Sequence, residues 1–200
     1  MKKLTLLFGF ILLFSSCNTK EECYSCNADI DAWVKENKTE LMSMDREELS
    51  KLDLSRQRAA LRMFSPERKK LLWTEKLTEV LQTPFSNDEK KYLKYAENVL
   101  KTHSFKKPFT EKESKEILDW MEQGKLKFGW TNEFLFNSFF IVGNSHDNQR
   151  INPEEPLDDC SCRYSISCFP IGRGCDYNDC SDTNDGCGFF GNSECKGICQ

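Results

Sequence analysis

Histidine is nearly missing from this chain: His103 and His146 are the only two in 200 residues. Neither stands beside an obvious nucleophile, so nothing points to a hydrolytic triad. Long apolar runs are missing too. The one at 4–14 has eleven residues, against the ~20 a helix needs to span a bilayer. Basic residues are nowhere concentrated on one face, which argues against a nucleic-acid partner. The net charge is -4, and residues 151–200 hold nine acids against three bases. That end would be repelled by phosphate backbones and anionic headgroups. Nor is there a βαβ pattern, which a thioredoxin-like redox fold would need.

Cysteine is what the chain does have. Eight of its eleven cysteines fall in the last forty-one residues: Cys160, Cys162, Cys168, Cys175, Cys180, Cys187, Cys195 and Cys199. About one residue in five there is cysteine, roughly twice the ~8–10% that marks a disulfide scaffold. The spacing begins CxC and continues with gaps of five, six, four, six, seven and three. Structural zinc sites use paired C-x(2–4)-C ligands, so disulfides are expected and no metal or other cofactor is. The stretch 179–186 misses the register of a calcium loop and reads as a turn. Eight cysteines allow 105 pairings, and the sequence does not choose among them. A forty-residue module with few apolar residues rarely folds alone. Four crosslinks at ~2–4 kcal/mol each would offset the thin core.

The N-terminus reads as a targeting segment, with Lys2 and Lys3 before the apolar run and small residues before a cysteine (Leu13-Phe14-Ser15-Ser16-Cys17). This resembles the lipobox of bacterial lipoproteins, although Phe14 departs from the usual Leu, Ala or Val. The resemblance implies cleavage before Cys17, acylation of Cys17 and anchoring to the outer membrane, with the protein facing the surface or the periplasm. Several acyl chains on one residue hold firmly where one holds marginally. Cysteine parity agrees. Eleven is odd; with Cys17 acylated, ten remain, as Cys23/Cys26 and the block of eight. The Cys23-Tyr24-Ser25-Cys26 motif precedes a helix, where a thiolate gains ~0.3–1 kcal/mol from the dipole. Glu21, Glu22 and Asp29 oppose that charge, so a structural disulfide is expected there rather than a redox pair.

The fold expected is mainly α: a helical bundle domain followed by a small disulfide-rich C-terminal module. The divisions are a signal at 1–16, a tether with CxxC at 17–26, a helical domain at 27–142, a polar linker at 143–159 and the cysteine module at 160–200. Helix starts punctuate the middle. Asp45 and Glu48, Ser86 and Glu89, and Thr110 and Glu113 have capping-box spacing, and Ser65-Pro66 places a capping serine before a first-turn proline. Stripes at helical spacing include Trp73/Leu77/Val80 and Tyr92/Tyr95/Ala96/Val99. The apolar stretch 131–142 reads as the most buried helix, with a strand as the alternative. His103 falls near a helix end and reads as a C-terminal cap or surface residue.

The tail resembles the fulvocin C class of eight-cysteine bacteriocins. The resemblance rests on Cys160-Ser161-Cys162, the run to Cys168, Cys175-Asp176-Tyr177, and Cys187-Gly188 with aromatic and glycine residues after it. The chain as a whole is similar to bacteriocin fulvocin C-related proteins, with their signal, helical middle and cysteine-rich end. It departs in the wider spacing of Cys195 and Cys199 and in the acidity of the tail. The resemblance implies a non-enzymatic, lipid-anchored antimicrobial protein of the cell surface, with release of the tail by proteolysis near 156–159 as a further expectation. The alternative is a surface binding or immunity lipoprotein whose module recognises a protein or cell-envelope target and is not toxic.

Overall fold

The computed structural model describes residues 23–25, 27–143, 175–176 and 186–199. Within them the protein is mainly helical. The helices are α1 (Ala28–Glu36), α2 (Lys38–Ser43), α3 (Arg46–Ser50), α4 (Leu54–Met63), α5 (Pro66–Leu81), α6 (Asn87–Thr102), α7 (Glu111–Phe128) and α8 (Asn132–Phe139). Two short strands, β1 (Cys175–Asp176) and β2 (Ile198–Cys199), pair antiparallel, with Cys175 opposite Cys199. No helix among the described residues is long and apolar enough to cross a membrane.

Local capping explains where the helices begin. Asp45, Ser86 and Thr110 each accept from the backbone N–H three residues on, while Glu48, Glu89 and Glu113 reach back to the cap N–H. Each box satisfies two of the donors a helix start leaves open. Ser65 caps α5 ahead of Pro66. The apolar stretch 131–142 forms α8, not a strand: Thr131 caps it by accepting from the Phe134 N–H.

α5 crosses the middle of the molecule and packs on both α6 and α8. Trp73, Leu93, Ala96, Leu135 and Phe139 are fully buried around it. Aromatic rings join α6 to α7: Tyr92 and Tyr95 both stack on Trp120, at 5.7 and 5.2 Å between centroids. The Tyr92 hydroxyl donates to the Trp120 carbonyl oxygen, and the Trp120 indole N–H donates to that of Tyr92. Trp130 then folds back over α7 at Gly124, where a Cβ would lie 2.4 Å from the indole ring. That contact requires glycine within a helix, despite its cost of ~1 kcal/mol relative to alanine.

One charge sits in this core. Lys76 is fully buried, and its ammonium donates to the Gly143 carbonyl oxygen. Burial pushes its pKa down to about 8; Glu79 acts against that shift and Arg46 adds to it. Arg46 pairs with Glu79 and donates to the Val142 carbonyl oxygen at 3.2 Å. Lys76 and Arg46 thus tie down the two residues at the end of the helical domain.

Candidate functional site

The expected cysteine module does not stand apart. Its described part, residues 186–197, is seated in the helical domain, and its aromatic residues complete the core of that domain.

The seat is built around a short clipped loop. Cys187 and Cys195 form a disulfide, and both are buried. Inside it, the Cys187 and Ser193 backbones exchange N–H to carbonyl bonds of 3.1 and 2.8 Å, and the Gly186 N–H donates to the Gly191 carbonyl oxygen. A 3-10 turn (Phe189–Gly191) at the apex carries two phenylalanines, each 1% exposed. Phe189 stacks on Phe139 of α8 at 5.3 Å and meets Trp120 of α7 edge-on at 6.0 Å. Phe190 lies 5.1 Å from Trp73 of α5.

Phe190 adopts φ +52°, in the left-handed region that L-residues avoid. That conformation costs ~1–2 kcal/mol. Burying a phenylalanine contributes ~1.5–3 kcal/mol, and each aromatic pair ~0.5–1.5 kcal/mol more. Burial therefore wins, and the strain holds two adjacent rings in the core together.

Polar contacts ring the seat. Asn192, fully buried, clamps the loop between α6 and α7. Its carbonyl oxygen accepts from the Phe109 N–H at 2.9 Å, and its side-chain Nδ2 donates to the Lys107 carbonyl oxygen at 2.9 Å. Nδ2 also meets His103 Nε2, an arrangement that a neutral imidazole accepting at Nε2 satisfies. Burial holds the His103 pKa below its ordinary value; the Lys107 carbonyl and Glu113 act against that shift and Lys70 adds to it. Lys196 pairs with Glu111 at 2.8 Å at the exposed edge. Arg62 of α4 donates to Cys195 Sγ at 3.1 Å and to the Tyr24 carbonyl oxygen at 2.8 Å, joining the tail to the segment before α1. Gly186, at φ +102°, lies against Arg62; a Cβ there would be 2.5 Å from Nε.

Beside this clamp a groove of about 750 Å³ runs between α6 and α7. Tyr95, Phe109 and Ile117 line it together with His103, Lys107 and Glu113. Its mixed apolar and charged lining suits binding of an extended polar chain.

Of the residues expected to form disulfides, Cys187 and Cys195 are joined to each other, and Cys175 and Cys199 face each other across the β1–β2 ladder. Cys23 carries an exposed free thiol that donates to the Ser25 carbonyl oxygen at 3.0 Å. Its expected partner Cys26 lies outside the described residues, as do Cys17, Cys160, Cys162, Cys168 and Cys180. His146 and nearly all of the linker also lie outside them. Among the described residues no group of three or more His, Cys, Asp or Glu side chains could hold a metal ion.

The residues that build the seat were not singled out by local reasoning. Phe189, Phe190, Asn192, Arg62 and Lys196 match no chemical motif. One signal was available: an adjacent pair of large apolar residues, bracketed by glycines, in a polar and acidic tail. No protein-family model, curated protein or solved structure matches the chain.

Proposed function

We propose that this is a lipid-anchored, non-enzymatic protein of a bacterial outer membrane. Its cysteine-rich end recognises a protein or cell-envelope partner while remaining seated in the helical domain. The observation that carries this reading is the burial of Phe189 and Phe190 among Trp73, Trp120 and Phe139. A loop built into the core is a rigid platform, and rigid platforms bind at low entropic cost. The lipobox-like sequence before Cys17 supports the anchor.

A second reading, a bacteriocin-type tail released by proteolysis, has the eight-cysteine resemblance in its favour. Release would require both phenyl rings to leave the core. The two readings separate in a culture expressing the full chain. The first expects acylated protein in the membrane fraction and medium that leaves related strains growing. A tail fragment in the medium that stops their growth would overturn the first reading in favour of the second.

A further inference from the structure

We propose that the helical domain is a noncovalent receptor for the Cys187–Cys195 loop of its own tail and keeps the tail bound after the linker between them is cut. This goes beyond the function above, because it concerns how the tail is held and not what it recognises.

Three features of the seat are those of a binding site with its ligand in place. First, the ligand is preorganised. The disulfide and the backbone bonds inside the loop fix its shape, so little ordering entropy is lost when it docks. Second, the contact has a desolvated centre and a polar edge. Phe189 and Phe190 fill a slot walled by Phe139, Trp120 and Trp73 from three different helices. Around them lie the Asn192 bonds to Phe109 and Lys107, and the Lys196–Glu111 and Arg62–Cys195 contacts. Buried aromatic anchors inside a polar rim are where binding energy concentrates in protein interfaces. Third, these contacts come from α4, α5, α7, α8 and the loop before α7, and none runs through residues 144–174. The linker supplies a high effective concentration and none of the described contacts.

The test uses the full chain with a site-specific protease sequence inserted between Pro153 and Glu154. After cutting under oxidising conditions, the two pieces are expected to co-elute in size-exclusion chromatography. They are expected to separate in a non-reducing denaturing gel. The Phe189→Ala/Phe190→Ala chain is expected to shed its tail on cutting. A double replacement in the core can also unfold the protein, so a charge swap at the rim provides the second test. Lys196→Glu should speed dissociation of the cut tail about two- to fivefold, as expected for one exposed ion pair. Adding Glu111→Lys should restore the slower rate. The proposal is overturned if the cut tail elutes alone. It is overturned equally if the pieces stay linked in the denaturing gel, or if the charge swap fails to restore the rate.

Discussion

Phe189 lies nearly flat on Phe139, with ring centroids 5.3 Å apart and planes 27° apart, although fifty residues separate them in the chain. The contact makes the last helix of the bundle and the cysteine-rich end one packing unit. The bundle is closed at that point by a disulfide-clipped turn instead of another helix.

Removal of either ring should therefore damage the helices. Phe189→Ala is expected to lower the unfolding free energy of the full chain by ~3–5 kcal/mol, the range for emptying a buried phenylalanine site. Leu126→Ala, at a side chain 78% exposed, should change it by less than ~0.5 kcal/mol. Urea denaturation followed by far-ultraviolet circular dichroism reads both. Equal, small effects would show that the tail does not support the bundle.

Opening the clip should weaken the same unit. The Cys187→Ala/Cys195→Ala chain loses the crosslink that constrains the loop and the sulfur that Arg62 contacts. A loss of ~2–4 kcal/mol is expected, again visible in the helical signal because the loop apex sits in the core.

Acid should loosen the clamp through His103. Its pKa lies below the ordinary 6.5 because of burial, with the Lys107 carbonyl and Glu113 acting against the shift and Lys70 adding to it. The unfolded chain therefore takes up this proton first as pH falls. The stabilisation is complete above about 6.5 and is lost as pH drops toward the folded pKa. Protonation also sets an Nε2–H against the Asn192 amide N–H. Denaturation curves from pH 8 to 5 should show a decline that is shallower in His103→Gln. Identical slopes would remove His103 from the clamp.

Lys76 gives the opposite window. Its folded pKa of about 8 lies below the ordinary 10.5, chiefly through burial. Between those values the unfolded chain holds the proton and the folded chain does not. Stability contributed by this group therefore rises with pH across that window. Lys76→Met should flatten the rise. At pH 7 it should cost little or even stabilise, since it removes a buried ammonium. The same pH-dependent denaturation, extended to pH 10, checks both statements.

The helical part of this architecture was legible because its signals are local. The acid or hydroxyl at Asp45, Ser86 and Thr110 and the glutamate three residues on are a chemical statement about one helix turn, and each box forms. His103 does fall at the C-terminal cap of α6, as its position suggested. Its bond to Asn192, 89 residues away, leaves no periodic trace. The seat was hidden for the same reason. A cysteine-rich acidic tail reads as a self-contained scaffold. Only the three-dimensional packing brings Phe189 and Phe190 onto rings from α5, α7 and α8. Lys76 was equally hard to read, because a lysine in a charged helix such as α5 is ordinarily solvated.

The central claim is that the apex of the clipped loop belongs to the helical core, and proton–proton Overhauser contacts in the full-length oxidised protein test it most directly. The account predicts cross-peaks from the Phe190 ring to the Trp73 indole, whose centroids lie 5.1 Å apart, and from the Phe189 ring to Phe139. Ring shifts of Phe189 and Phe190 at their unstructured values, with no cross-peak to either helix, would contradict it.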